Sequence, residues 1–546
     1  MSTNLMDWRD YPTIDWMIFQ NVSKLTTLNF NGYFDTNAFY PYKNSLLFSD
    51  LLLPQAIIET PFYLLTHNVI LSFNIVFFIT FILNYFATFL FWRQIFKKNF
   101  LAFFGSLFTI FSPFTHLEIS HFPMLSFWPF FFSLYFILKS RTNTERRNLV
   151  FAGIFLAIQF LAAAYLSFFL MLIIILFYSI EILRTKDKRI HLIRNLSIIL
   201  IVFVLLDGYF IKNFIDTKKL YNISHELKEN VTYSAHLSDY LFTSHIDSIL
   251  HQSLLAEKWN NFNKNTMGGQ ASFPGLLLFT LFIFSLFEVK KIQNKLVFKL
   301  DINNEQLFFL ILLIVGFLSS LGPRINFNGA YAYIPTPYNL ILKIVPLVQE
   351  EVRAPSRWYF LFIIAVVYFA LQTIKRLQMK INIRLLSAIL LLLFFLEYLP
   401  TNITTHSEKY IDSNQFTLKN LCLPKKLVLL EIPVTHLNAY PDIITGLNYI
   451  SKVQLASTYH QCYLVNGYSS YDMPHLYALS NVLYRAIIDN NSDIFMKELK
   501  KSKADVVKFN TEQFPREVLK EFPSFLQKFE NEKNIKQIGD QMYRIQ

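Results

Sequence analysis

About ten apolar segments, each long enough to cross or nearly cross a bilayer and each bounded by polar sequence, leave this chain few folds to choose from. They cover 69–92, 100–114, 122–138, 149–178, 196–211, 273–287, 307–321, 358–373 and 385–399, with 149–178 long enough for two spans hinged near 162–165. In hydrocarbon every backbone N–H and C=O must be satisfied internally, so such segments are helices. A composition of 53% hydrophobic and 17% aromatic residues, with a mean hydropathy of +0.33, agrees with a polytopic membrane protein. The formal charge of +12 does not indicate nucleic acid, because the basic residues cluster between the apolar runs. Arg93, Lys97 and Lys98, then Lys139, Arg141, Arg146 and Arg147, then Arg184, Lys186, Lys188, Arg189 and Arg194 mark one side of the membrane as cytoplasmic. Lys290, Lys291, Lys295 and Lys299, and later Lys375, Arg376, Lys380 and Arg384, continue the pattern.

The opposite side then receives 1–67, the short connection 115–121, the polar stretch 212–272 with its Gly268-Gly269, the loop before 356, and 401–546. Both termini are expected outside. That layout calls either for a further span upstream of Met1 or for translocation of a short tail after insertion, and both stay open. No secretory signal opens the chain. Residues 51–65, interrupted by Pro54, Glu59 and Pro61, predict a pair of interfacial helices and not a span. In 401–546 the pattern changes to strands at 427–432 and 504–509 with a helix at 493–502 between them, a small external α/β domain. Three regions follow: 1–67, an external loop with interfacial helices; 68–400, the transmembrane helices; and 401–546, the soluble domain. The two cysteines, Cys422 and Cys462, exclude a cysteine-based metal cluster, and sequence alone leaves their pairing open.

Acids at external loop positions near span ends are the candidates for chemistry: Asp10, Asp15, Asp50 and Glu118. Asp10 and Trp16, the turn Phe39-Tyr40-Pro41, and Ser49-Asp50 before an apolar run occur in an order that resembles the first external loop of bacterial polytopic glycosyltransferases of the GT-C superfold. Phe111 to Leu117 with His121 resembles the second external loop of that family. Phe273-Pro274-Gly275-Leu276, the run Val352 to Arg357 leading into a late span, and Leu464 to Ser469 in the small domain are similar in the same order. Family members carry one more span before the Asp-bearing loop.

The resemblance implies a GT-C-like helical bundle that transfers a sugar from a polyprenyl-phosphate donor to a glycan, lipid or protein acceptor at the external face of a bacterial inner membrane. That chemistry needs a carboxylate within reach of the acceptor hydroxyl and a cation for the departing phosphate. The expected catalytic pair is Asp10 as base and Glu118 as second acid. Substrate contacts are expected from Asp15, Trp16, Asp50, His116, His121, Arg353, Arg357, Tyr459, His460 and Asn466, with the arginines on the phosphate and with Gly467 and Tyr468 beside Asn466 on the acceptor. Pro355 makes a regular helix joining Arg353 to Arg357 unfavourable. His116, Glu118 and His121 could instead bind a metal, but their spacing matches no zinc signature. The expected cofactor is therefore none, with the lipid-linked sugar as substrate and a divalent metal left open. Two other readings stand beside the enzyme: a transporter or flippase for lipid-linked glycans, and a non-catalytic relative. Spans almost free of charge, with acids in the loops, favour the enzyme over the transporter.

Overall fold

The structure, a computed structural model, describes residues 4–5, 10–142, 145–240, 272–286, 289–292, 295–298, 303–327, 330–332, 334–344, 352–398, 406–407, 411–471 and 473–546. The pair Gly268-Gly269 and most of the expected external stretch 212–272 lie outside the described residues. The helices are α1 (Tyr11–Thr27), α2 (Leu53–Thr66), α3 (Val69–Phe96), α4 (Asn99–Ile110), α5 (Pro113–Leu117), α6 (Phe122–Leu125), α7 (Trp128–Thr142), α8 (Arg146–Ala162), α9 (Ala164–Arg184), α10 (Arg189–Tyr221) and α11 (Leu227–Thr232). Then follow α12 (Leu276–Leu286), α13 (Asn304–Ser320), α14 (Pro337–Ile344), α15 (Tyr359–Leu377) and α16 (Ile383–Tyr398).

Among the described residues six helical stretches are long and apolar enough to cross a membrane: Val69–Phe96, Asn99–Leu117, Phe122–Arg141, Ala164–Arg184, Lys186–Tyr221 and Pro355–Leu377. The chain is a multi-pass membrane protein. The remaining four expected segments are helical too, as α8, α12, α13 and α16, but each is shorter. The hinge expected near 162–165 is a break at Ala163, whose extended backbone separates α8 from α9. The segment 196–211 is the middle of a helix that continues to Tyr221, so the first ten residues of the expected loop are helical.

The 51–65 segment differs from its expectation. It is one helix, because Pro54 occupies the first turn, where its missing N–H costs nothing, and Pro61 is carried inside the helix. Glu59, read as an interruption, is fully buried on this helix.

After α16 come α17 (Ser413–Cys422), α18 (Ile443–His460), α19 (Pro474–Ile488), α20 (Ser492–Lys501) and α21 (Arg516–Glu530), with strands β1 (Val428–Ile432), β2 (Tyr463–Leu464), β3 (Val506–Phe509), β4 (Ile535–Gly539) and β5 (Met542–Ile545). The sheet order is β4-β5-β3-β1-β2; β1 runs parallel to β2 and β3, and the pairs β4-β5 and β5-β3 are antiparallel. Strand β1, between β3 and β2, is buried along its whole length, as a parallel strand covered on both faces requires. Cys422 and Cys462 form a disulfide that ties α17 to the start of β2.

One hydrophobic core joins this sheet to the beginning of the chain. Tyr11, Trp16, Ile18, Phe39 and Phe48 share it with Leu429, Ile432, Leu464 and Val507. Residues 37–40 lie alongside β2: Leu464 donates its N–H to the Asn37 carbonyl at 2.6 Å, and Tyr40 donates to the Leu464 carbonyl at 2.8 Å. A Cβ on Gly467 would stand 2.4 Å from the Phe39 ring, so only glycine allows the Asn466-Gly467-Tyr468 segment to press on the Phe39 turn. This contact carries Tyr468 to the start of α1.

Candidate active site

Asp10 precedes α1, which starts at Tyr11 with Pro12 in its first turn. Its side chain caps no helix N–H, leaving both oxygens for other partners. The Tyr468 hydroxyl donates to Asp10 Oδ1 at 3.2 Å, and His121 Nε2 stands 3.4 Å from Asp10 Oδ2. The other ring nitrogen of His121, Nδ1, stands 3.3 Å from Glu118 Oε2. This second contact is at ion-pair range without hydrogen-bond alignment. Glu118 in turn meets Arg357: Nε donates to Oε1 at 3.2 Å, and Nη2 lies 3.1 Å from Oε2.

The result is a row of polar side chains, Asp10, His121, Glu118, Arg357, each within 3.4 Å of the next, assembled from three distant parts of the chain. Local structure explains each position. Glu118 ends α5, and the turn that follows is closed by His121 N–H on the Glu118 carbonyl at 2.8 Å, which puts both side chains on one side. The Tyr11 hydroxyl donates to the Ile119 carbonyl and so ties the start of α1 to that turn. Pro355 opens a 3-10 turn, Pro355–Trp358, in place of a regular helix. That turn separates the two arginines.

Arg357 points to Glu118 with its guanidinium over the Tyr165 ring, 5.1 Å from the centroid. Arg353 pairs instead with Glu229 at 2.8 Å and bonds the Tyr233 hydroxyl at 2.9 Å. In Glu229, burial pulls the carboxyl pKa upward, but His225, by hydrogen bond and charge, and Arg353 together bring it below the usual value. The Tyr165 hydroxyl donates to the Ala354 carbonyl at 2.5 Å and accepts from Ala354 N–H at 3.1 Å, which fixes the turn. Tyr468 was expected as an acceptor contact, but Tyr165 was not among the expected site residues; its signal, visible in retrospect, is its place at the hinge between two spans.

The other expected contacts are placed elsewhere. Asp50 Oδ1 accepts the N–H of Ala164 at 2.9 Å, capping α9 from a separate segment. His116 is half-buried beside the backbone of Tyr398. Trp16 is buried, with Nε1 donating to Asn37 Oδ1 at 2.9 Å. Tyr459 packs on Phe416 with the Lys419 ammonium 4.1 Å from its ring centre. The reading of His460 and Asn466 as glycan contacts is corrected, since both are fully buried. Asn466 Oδ1 accepts from Glu431 N–H at 2.8 Å and its amide donates to the Glu431 and Val434 carbonyls, so its polar atoms are spent on the fold. His460 Nδ1 accepts from Cys462 N–H at 3.1 Å.

Asp15 is likewise corrected: it is fully buried on the inner face of α1, with both carboxyl oxygens lacking hydrogen-bond partners. Burial raises its pKa well above the usual carboxyl range. Glu59 is raised by burial first and then by Asp15, while a hydrogen bond from Ser72 at 3.0 Å opposes the shift. Among the described residues, no group of three or more His, Cys, Asp or Glu side chains is arranged to hold a metal ion.

No curated protein matches this chain. Among solved structures it is similar to the archaeal oligosaccharyltransferase AglB from Archaeoglobus fulgidus, in complex with an inhibitory peptide and a dolichol-phosphate. The identity is 14% and the TM-score 0.39, over 92% of this chain and 66% of that one. The chain thus spans just under two thirds of that protein's length. Residues 12–397 match the family described as Domain of unknown function (DUF6311), and with most of its length inside that match, the chain belongs to this family.

Proposed function

We propose that the row Asp10, His121, Glu118, Arg357 is the reaction centre of a membrane glycosyltransferase that uses a polyprenyl-phosphate-linked sugar. The observation that carries the reading is the convergence itself: residues 10, 118, 121 and 357 meet within 3.4 Å of their neighbours at one end of the bundle. Asp10, whose carboxylate is met by a hydroxyl and an imidazole, takes the proton of the acceptor hydroxyl as that oxygen forms the bond to the sugar's anomeric carbon. The bond from that carbon to the phosphate oxygen breaks, and the electron pair leaves with the phosphate. Arg357 has N–H groups beyond the two it presents to Glu118, and these meet the departing charge. Arg353, paired with Glu229 and partly exposed, is a second cation for the same group. His121 holds the carboxylate of Asp10 and positions it. No step is assigned to a metal.

In this reading the reaction end faces the outside of a bacterial inner membrane, and 401–546 lies on that side with the acceptor. The disulfide supports that side, since such bonds persist in oxidising compartments. A transporter reading draws on one observation, the buried Asp207 on α10, whose oxygens lack partners within a span. The two readings separate on one experiment. Purified protein in lipid is given a polyprenyl-phosphate sugar and a glycan acceptor, and Asp10→Asn is compared with Asp207→Asn. Loss of about 10²- to 10⁴-fold in transfer with Asp10→Asn alone supports the enzyme. Undiminished transfer by Asp10→Asn refutes it, and an effect confined to Asp207→Asn favours transport.

A further inference from the structure

The Cys422–Cys462 bond, with its Cα atoms 5.2 Å apart, brings two lysine–tyrosine pairs side by side on the small domain. Lys419 and Lys426 flank Cys422 in sequence, and Tyr459 and Tyr463 flank Cys462. The Lys419 ammonium stands 4.1 Å from the centre of the Tyr459 ring, and that of Lys426 stands 5.4 Å from the centre of the Tyr463 ring. Phe416, 56% exposed, meets the Tyr459 ring at 5.5 Å, and Tyr40 meets Tyr463 at 5.3 Å. All three tyrosines are partly exposed, so rings and ammonium groups alternate along one strip of surface.

The charge of this strip has one sign. Residues 413–430 contain Lys419, Lys425 and Lys426 and no acid, and residues 443–471 contain Lys452 and no acid. No carboxylate pairs with Lys419, Lys425 or Lys426 among the described residues. Asp35 is taken by Lys43 at 3.0 Å, and Asp412 caps the far end of α17. The strip also has a direction. From Tyr463, β2 leads to Tyr468, whose hydroxyl donates to Asp10, and those five residues span at most roughly 17 Å.

We propose that this strip binds an acidic glycan, one whose sugars carry carboxylates as uronic acids do, and leads it along β2 toward Asp10. The apolar face of a sugar ring packs on a tyrosine, and the carboxylate on that ring meets the adjacent ammonium. A neutral glycan would leave the unpaired lysines without a counter-charge. A lipid surface would use the charge but not the path to Asp10. That the bound glycan is the acceptor rests on the reaction assigned to Asp10; binding at the strip does not.

The test uses the full chain in phosphatidylcholine nanodiscs without any lipid-linked donor. It is titrated with fluorescent oligogalacturonate and, in parallel, with a neutral malto-oligosaccharide of the same length. Wild type is expected to bind the charged probe about tenfold more tightly, with the difference shrinking as salt rises. Lys419→Gln with Lys426→Gln should weaken the charged probe about tenfold and leave the neutral one unchanged. Both lysines are at the surface with no carboxylate partner, so the variant keeps the fold. Tyr463→Ala should weaken both probes. Equal binding of the two probes by wild type, or unchanged binding of oligogalacturonate by the double lysine variant, overturns the proposal. Binding to phosphatidylglycerol vesicles without binding to oligogalacturonate assigns the strip to lipid and overturns it as well. Because no donor is present, failure here leaves the reading of Asp10 standing, and failure of that reading leaves this binding in place.

Discussion

Removing the counter-charge of Arg357 is the most direct probe of the site. Glu118 and Arg357 have side-chain exposures of 12% and 17% and meet at 3.1 and 3.2 Å. At an effective dielectric of 20 their attraction is roughly 5 kcal/mol, much of it offset by the cost of taking both charges out of water. Deleting one partner leaves the other buried and uncompensated. Glu118→Gln is therefore expected to lower unfolding free energy by about 3 to 5 kcal/mol, and Arg357→Met by a similar amount, with His121 softening the loss on the Glu118 side. The double variant removes both charges, so its loss should fall short of the sum by about 2 to 3 kcal/mol. Unfolding of the purified protein in a mild detergent, followed by tryptophan fluorescence against added denaturing detergent, reads the four corners of the cycle. If the two losses add within about 0.5 kcal/mol, Glu118 and Arg357 are not coupled and the pairing argument fails.

Other outcomes follow from the same coordinates. Burial, with Lys508 adding to it, lowers the His460 pKa from 6.5 to about 3. Below pH 6.5 the unfolded chain gains a proton that the folded one refuses, so stability falls by about 1.4 kcal/mol per pH unit toward pH 3. His460→Asn should flatten that slope in melting curves, and an unchanged slope would refute the assignment. For Asp15 and Glu59 the sign is opposite: their raised values make stability fall as pH rises above the ordinary carboxyl range. Asp15→Asn should remove part of that fall, and a variant with the wild-type pH profile would contradict it. Cys422 and Cys462 close a loop with a sequence separation of 40. Opening it with Cys422→Ser should cost about 4 kcal/mol on the loop-entropy account, read by denaturation or by protease sensitivity of residues 411–471. No loss at all would mean that the bond does not form in the cell.

Much was legible in advance because it is written locally. Among the described residues, the apolar runs located helices α3, α4, α7 to α10, α12, α13, α15 and α16 and the Ala163 break, and the change of pattern after 400 located strands β1 and β3, since helix and strand periodicities need only neighbours in sequence. The meeting of Asp10, Glu118, His121 and Arg357 was legible only as a shared end of the bundle. Their order along the row depended on a 3-10 turn at Pro355 and on Tyr165 holding it.

Other residues were not legible. Asp50 stands before α2 in sequence, and the helix whose N–H it accepts is α9. Asn466 and His460 read as acceptor contacts, yet both are buried in the fold. Glu59 reads as a helix interruption, and only the packing of α1, α2 and α3 turns it inward beside Asp15. Sequence by itself determined where the long apolar helices run, because local apolar and charged patterns decide that. Tertiary structure alone decided which acids meet a cation and which lose every partner, because burial and pairing depend on contacts between segments hundreds of residues apart.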